Sequence, residues 1–235
     1  MDSAVRLALQ SHPKAKPEVV VFEVKSNLHR ILSLKEELSI ADEVRGHFEK
    51  AVNKAEEKME EGEGDISQSA ITKLKLGLAG TMNDITKFTA EMAIARLKLG
   101  YWIGREIPDS AVPSEKRLAA IDFSPTRLEA YYKWVNKPPH LKDEPLLILK
   151  EAVIKVNLAR EQMALARKNR KITRALLVTE VANYDFGIGD EGELFEALII
   201  YTRVLVGYYQ TIYEFNLKVL EFEKTYSRLT SGGPS

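Results

Sequence analysis

The sequence of 235 residues contains no cysteine. Disulfide bonds, thiolate metal ligands and cysteine nucleophiles are therefore excluded. The sequence also has no excess of positive charge, because 34 Lys and Arg residues balance 34 Asp and Glu residues. Proteins that bind nucleic acids usually carry a basic excess or a basic stripe, so we expect no nucleic acid as the main partner.

Long apolar runs are missing as well. No stretch approaches the ~18 apolar residues that a membrane-spanning helix needs, so the sequence predicts no transmembrane segment. The first residues, Met1 to Ala4, lack the charged and apolar regions of a secretory signal. We expect no signal peptide in this chain, which leaves a cytoplasmic location open.

Residue patterns typical of enzymes and metal sites are also absent from the sequence. The four histidines are scattered, and neither a His-Glu-x-x-His motif nor a paired Glu-x-x-His motif occurs. No nucleophile stands in a recognisable pattern with a base and an orienting group. We therefore predict a protein that is not an enzyme, with no catalytic residues, no metal and no cofactor.

Two short glycine-containing segments interrupt the helical patterns. The sequence Gly62-Glu63-Gly64-Asp65 returns 125 residues later as Gly187-Ile188-Gly189-Asp190. The glycines suit the left-handed backbone that ends a helix. Each Asp is followed three residues later by Gln68 or Glu193, which predicts a capping box at the start of the next helix. The chain is therefore expected to contain a helical hairpin twice.

Apolar residues at spacings of three and four predict four long amphipathic helices around these turns. Gly46 lies inside the first helix and costs about 1 kcal/mol relative to Ala, so we expect a close helix contact there. In the third helix the predicted inner stripe includes Ile172, Leu176 and Thr179. The second helix is expected to stop at Gly104, a residue typical of helix C-termini.

Six of the nine prolines fall between residues 104 and 145, which rules out a continuous helix there. The fold class we predict is all-α, with two long antiparallel helical hairpins in a coiled-coil-like four-helix bundle. The hairpins either close on each other or pack side by side between copies. The predicted segments are an N-terminal extension (1–18), a first hairpin (19–104), a Pro-rich connector (105–144), a second hairpin (145–230) and a flexible tail (231–235).

The segment around the second turn resembles the TolC-type outer-membrane efflux protein family. In residues 182–197, Gly187 and Ala197 hold the places of the Gly and the Ala at the family's second periplasmic tip. Residues 208–216 are similar to the family's aromatic, Asn-containing stretch, and residues 229–232 are similar to its Leu-x-x-Gly ending. The first hairpin matches more loosely. The strand pairs that the family inserts in each repeat are not predicted from this sequence.

The resemblance implies a helical conduit or adaptor-docking component of an export assembly. It further implies a homo-oligomer of three copies, a periplasmic or outer-membrane-associated location, and a periplasmic adaptor protein as partner. The residues expected to contact that adaptor are those of the two hairpin tips: Gly62, Gly64, Asp65, Gly187, Ile188, Gly189 and Asp190.

A basic run in the third helix supports an alternative function. Its members are Arg160, Arg167, Lys168, Arg170, Lys171 and Arg174. Such a run is usually a solvated helix face. It is also typical of a surface that binds anionic lipids, so a membrane-surface scaffold, or a coiled-coil interaction protein, stays as the second hypothesis.

Overall fold

The computed structural model describes residues 1–62, 67–109, 111, 117–135 and 141–231. Within these ranges the chain forms helices and no strand, so the predicted all-α class is confirmed. The helices are α1 (Asp2–Ser11), α2 (Pro17–Glu61), α3 (Gln68–Ile103), α4 (Leu128–Val135), α5 (Asp143–Asp185) and α6 (Glu191–Ser231). In the described part of the chain, none of them has an apolar stretch long enough to cross a bilayer.

The internal contacts divide the chain into two compact units. Unit 1 comprises Met1–Ser33, Met92–Ala164 and Gln210–Ser235, and unit 2 comprises Leu34–Glu91 and Leu165–Tyr209. All four boundaries along the chain fall inside the long helices, so each unit contains parts of α2, α3, α5 and α6. The five segments read from the sequence stay a prediction.

The core of unit 2 brings the four long helices together. Buried side chains come from α2, α3, α5 and α6, among them Phe48, Leu74, Leu177 and Leu198. The close approach lies at Gly77 of α3, where a Cβ atom would stand 2.6 Å from the Phe48 ring. These side chains recur every three or four residues along each helix, which is why one face of each is apolar.

The close contact expected at Gly46 is wrong. A Cβ atom built at Gly46 meets no atom within 4 Å, so nothing in its surroundings requires a glycine. The sequence shows that a glycine inside a helix lowers the stability of that helix, but it does not show which glycine packs closely against another helix. In the contact between α2 and α3, that glycine is Gly77.

Unit 1 contains two separate cores. One joins α1, α2 and α3 through residues such as Ala8, Val24 and Leu99. The other joins the connector and α4 to α5 and α6, with Phe123 and Tyr131 packed against Phe222. Proline breaks the helical pattern of the connector, yet its aromatic side chains bury enough apolar surface to hold it on the long helices.

The N-terminal segment, predicted as an extension of the hairpins, contains a helix of its own. Helix α1 ends before Pro13, and Ala8 is fully buried in the core it shares with α2 and α3. The Ser11 hydroxyl donates to the Ile103 carbonyl at 3.2 Å, and His12 Nε2 lies 3.0 Å from the Tyr101 carbonyl. These polar contacts fix the end of α1 to the end of α3.

Candidate functional site

The second turn between α5 and α6 is a complete helix C-cap. Gly187 has a φ of 73°, in the left-handed region that favours glycine. Its N–H donates to the Tyr184 carbonyl at 3.1 Å, and the N–H of Ile188 donates to the Asn183 carbonyl at 2.9 Å. These two bonds satisfy carbonyls that the end of α5 leaves without helical partners. The predicted glycine bend is therefore present at Gly187.

The start of α6 closes the turn from the other side. The Glu193 N–H donates to Asp190 Oδ1 at 2.8 Å, and the Asp190 N–H donates to Glu193 Oε2 at 3.4 Å. This is the predicted capping box, with two donors satisfied reciprocally. A Cβ atom at Gly189 would lie 3.1 Å from Asn183 Cβ, so the turn has little room for a side chain there. The backbone of the second turn is held at both ends.

The first turn is only partly described. Gly62 has a φ of 69°, and its N–H donates to the Met59 carbonyl at 3.3 Å. Gly64 and Asp65, both predicted as tip residues, lie outside the described residues. The expected capping box with Gln68 at the third helical position is wrong, because α3 begins at Gln68.

The N-terminus of α3 is capped by a different residue. Ser67 Oγ accepts the N–H of Ala70 at 3.1 Å, which is the geometry of an N-cap serine. The expected pairing failed because serine caps a helix as well as aspartate does, and Ser67 stands directly before the helical residues. Ala70 cannot return a hydrogen bond, so the reciprocal half of a capping box is missing here.

Helix α2 holds the end of α5 through charged and aromatic contacts. Lys54 Nζ donates to the carbonyls of Tyr184 and Asp185 at 2.9 and 3.3 Å, and it lies 4.7 Å from the centre of the Tyr184 ring. The Tyr184 hydroxyl donates to the Ala51 carbonyl at 3.3 Å. A cation at a helix C-terminus is stabilising because the last carbonyls carry partial negative charge. The second turn is therefore fixed to α2 as well as closed within itself.

Burial changes the acidity of the tyrosine at this junction. Burial of the ring raises the pKa of Tyr184 to about 12, and the nearby carboxylates of Glu191 and Asp185 act in the same direction. The phenol therefore stays protonated at neutral pH and remains a hydrogen-bond donor to α2. Its role at this position is structural.

Two large apolar side chains project from the second turn. Phe186 is 81% exposed and Ile188 is 80% exposed, although both belong to a turn whose backbone is fixed. Exposed apolar groups on a rigid frame lose little conformational entropy when a partner covers them. Ile188 was predicted as a tip residue, whereas Phe186 was not. An aromatic residue beside the glycine of a polar turn could have indicated that Phe186 is exposed there.

A second apolar row runs along α5 on a different face from its buried residues. Its members are spaced by four and seven residues and are more than a third exposed: Leu147, Ile154, Leu158, Leu165, Ile172 and Leu176. The buried row instead contains Leu149, Val153, Val156, Thr173 and Leu177. The placement of Ile172, Leu176 and Thr179 in the inner stripe is therefore wrong.

Helix α3 shows the same property in both units. Leu76 and Met82 in unit 2, and Ile94, Leu97 and Tyr101 in unit 1, are more than half exposed. Helices α2 and α6 differ, because among their large apolar side chains only Met59 and Ile200 are more than a third exposed. The exposed apolar side chains therefore concentrate on α3 and α5, and exposed apolar surface of this kind is typical of interaction surfaces.

The basic run of α5 does not act as one surface. Arg160 donates to the carbonyls of Phe123 and Pro125 at 2.8 and 3.1 Å, so it holds the connector. Arg170 lies 4.8 Å from the centre of the Tyr208 ring. The remaining members are exposed, and three of them, Arg167, Lys171 and Arg174, border a groove of about 660 Å³ together with Arg170. Two of the six basic residues are thus engaged within the chain.

The described residues bring together no group of three His, Asp or Glu side chains that could hold a metal ion. The structure describes five of the predicted tip residues: Gly62 in the first turn, and Gly187, Ile188, Gly189 and Asp190 in the second. Their role in binding a partner stays a prediction.

Comparison with known proteins gives structural matches only. No protein-family model and no curated protein sequence matches the chain. The outer-membrane channel OprN superposes with a TM-score of 0.72 and 12% identity, over 98% of this chain and 70% of its own. CusC, whose crystal structures concern folding and transmembrane channel formation, superposes with a TM-score of 0.65 and 12% identity, over 98% and 72%. The chain has the fold of a TolC-like helical domain.

Proposed function

We propose that the protein is a non-catalytic component of an efflux or export conduit, in which copies associate through α3 of one and α5 of the next. The observation that carries the proposal is the exposed apolar row on α5, which differs from the row that the chain itself buries. A helix with two apolar faces is typical of an assembly in which each helix packs between two neighbours.

The side chains of the exposed rows offer apolar surface that association would bury. Ile172 is 70% exposed and Leu97 is 75% exposed, so most of their apolar surface lies in water. Fully burying one such side chain stabilises by about 1.5–3 kcal/mol. Several of them on each of two helices provide a driving force that survives the entropic cost of association. By the family resemblance, the closed ring contains three copies.

Oligomeric state tests this proposal. We expect native mass spectrometry to give three times the 26.5 kDa chain mass. Ile154→Glu and Ile172→Glu should yield monomers, because a charge in an apolar contact loses its hydration. Arg167→Glu is the matched control, since Arg167 is exposed on α5 but lies on another face of the helix, and it should keep the wild-type mass. A monomeric wild-type chain would reject the proposal.

The second turn is the proposed docking site for a periplasmic adaptor protein. The turn offers two exposed apolar side chains, Phe186 and Ile188, on a backbone fixed by the Gly187 cap and the Asp190 capping box. Gly62 marks the corresponding bend of the first hairpin. Exposed aromatic and aliphatic anchors on rigid frames are typical of binding hot spots.

Adaptor docking is tested by titration with purified candidate adaptors. Phe186→Ser and Ile188→Ser should each weaken binding by about tenfold or more, the loss expected for a buried apolar anchor. Ile200→Ser is the control, because Ile200 is 43% exposed on α6 and does not belong to the turn. Equal binding by wild type and both turn variants would exclude docking at this turn.

The same proposal places the protein in the periplasm or at the outer membrane. Fractionation of cells that produce the natural gene product tests the location, with a cytosolic enzyme and a periplasmic enzyme as markers. Recovery with the cytosolic marker would contradict it.

A further inference from the structure

A cavity of about 360 Å³ lies in unit 1, and its described lining includes no residue of the second turn or of the exposed row of α5. Its apolar wall consists of Leu28 and Ile31 from α2 and Leu99 and Ile103 from α3, all of them buried. Helix α1 forms another side, and the contact between Ser11 and Ile103 holds that helix in place. The volume lies at the lower end of the range for small-molecule sites, about 300–1,000 Å³.

The cavity also has a cationic border. Arg96 of α3 and Arg105 line it, and Glu106 is the acidic residue among its described lining residues. The Arg96 side chain is 16% exposed, whereas Arg105 and Glu106 lie exposed at the rim. The balance of these three formal charges is positive, so the border favours an anionic group over a neutral one.

Arg96 has an unused donor beside this wall. One terminal nitrogen donates to Asp109 Oδ1 at 2.8 Å, but Asp109 is 98% exposed, so water weakens that pair. Its Nε is buried and meets no hydrogen-bond acceptor in the described part of the chain. A buried donor without an acceptor is costly, and an oxygen atom supplied by a ligand would remove that cost.

We propose that this cavity binds a single-chain amphiphile with a carboxylate head group, such as a medium-chain fatty acid. The alkyl chain packs against Leu28, Ile31, Leu99 and Ile103. The carboxylate accepts hydrogen bonds from Arg96, a pairing whose geometry guanidinium favours. The volume admits one chain and not the two chains of a membrane phospholipid.

Calorimetric titration of the full chain with decanoate, below its critical micelle concentration, tests the proposal, with decanol as the uncharged comparison. We expect one decanoate per chain and at least about tenfold weaker binding of decanol, the loss expected without a charged hydrogen bond. Arg96→Gln should weaken decanoate binding by a similar factor and leave decanol binding unchanged.

Two further variants separate binding from folding. Ser3 is exposed on α1 and lines the cavity, so Ser3→Trp should block the entrance and abolish binding of both compounds while helical circular dichroism is retained. Arg117→Gln removes an exposed arginine that does not line the cavity and should bind decanoate like wild type. Absence of decanoate binding by wild type would overturn the proposal. Equal decanoate affinity of wild type and Ser3→Trp would also overturn it.

Discussion

The side chain of Asn216 on α6 pairs with the backbone of Ile121 in the connector, where Asn216 Oδ1 accepts the Ile121 N–H at 2.8 Å. Its Nδ2 donates to the Ala119 carbonyl at 2.8 Å and lies 3.1 Å from His29 Nδ1. Asn216 is fully buried, so these groups have little access to water. One amide therefore satisfies two backbone groups in the non-helical part of the connector that precedes α4.

Replacing Asn216 should loosen the connector. We expect Asn216→Ala to lower the free energy of unfolding by about 2–4 kcal/mol, because two backbone groups lose their partner in a buried site. Asn53→Ala is the control: Asn53 is exposed on α2, so its replacement should change the free energy of unfolding by about 0.5 kcal/mol or less. Urea denaturation measures both. Equal losses would contradict the role given to Asn216.

Lys54 should stabilise the end of α5. Lys54→Met keeps the length of the side chain but removes the charge that caps the Tyr184 and Asp185 carbonyls, so we expect a loss of about 1–2 kcal/mol. Lys50 is an exposed lysine one turn earlier on α2, and Lys50→Met should change stability little. Thermal unfolding measures the melting temperatures of the two variants, and equal values would contradict the role given to Lys54.

Two glycine substitutions should act in opposite directions. Gly187 has a φ of 73°, so Gly187→Ala should destabilise the chain by about 1–2 kcal/mol. Gly46 is helical and has open space around it, so Gly46→Ala should stabilise by about 0.5–1 kcal/mol. Chemical denaturation of both variants checks the signs. A stabilised Gly187→Ala protein would mean that the left-handed bend is not maintained in solution.

Stability should fall at alkaline pH because of buried phenols. Burial, followed by the charges of Glu191 and Asp185, raises the pKa of Tyr184 from 10.0 to about 12. Burial, followed by the charge of Glu43, raises the pKa of Tyr201 to the same region. The folded state therefore holds these protons more tightly than the unfolded chain does. Their contribution is complete below pH 10 and is lost as the pH rises through about 12.

Tyr184→Phe tests the alkaline effect. The variant lacks an ionisable group at this position, so its free energy of unfolding should fall less steeply than that of wild type between about pH 10 and 12. Denaturant titrations at several pH values give the two slopes. Parallel curves would show that Tyr184 does not contribute to the alkaline loss.

The periodicity of the apolar residues predicted the long helices, but it did not predict which of their faces are exposed. The apolar residues that recur every three or four positions of α2 are largely buried from Val24 to Ala55, whereas Met59 at the end of the same row is 46% exposed. Helix α5 has two apolar rows with similar spacing, and periodicity alone does not distinguish the row that meets its own chain. Ile172 and Leu176 were assigned to the wrong row for this reason.

The contacts at the turns also differ in how well the sequence predicts them. Asp190 and Glu193 form the capping box that their spacing predicted, because all of its atoms belong to neighbouring residues. The lysine that caps α5 lies on another helix, 130 residues before Tyr184, and no local pattern points to it. The same holds for Asn216, whose importance depends on a connector about a hundred residues earlier.

The membrane-scaffold alternative has its own expected result. Arg160 is bound to the connector and Arg170 lies over Tyr208, which leaves Arg167, Lys168, Lys171 and Arg174 exposed. We expect no salt-sensitive flotation of the protein with anionic liposomes, because the exposed basic groups are few and the net charge is zero. Strong flotation that is lost in high salt would favour the scaffold instead.

Cross-linking between copies tests the central claim most directly, since the chain has no cysteine of its own. Leu97→Cys places a thiol on the exposed face of α3, and Ile154→Cys or Leu158→Cys places one on that of α5. The account predicts that a flexible bismaleimide joins an α3 variant to an α5 variant when the two proteins are assembled together, giving twice the chain mass. Links between two α5 thiols only, or no link between copies in any mixture, would contradict it.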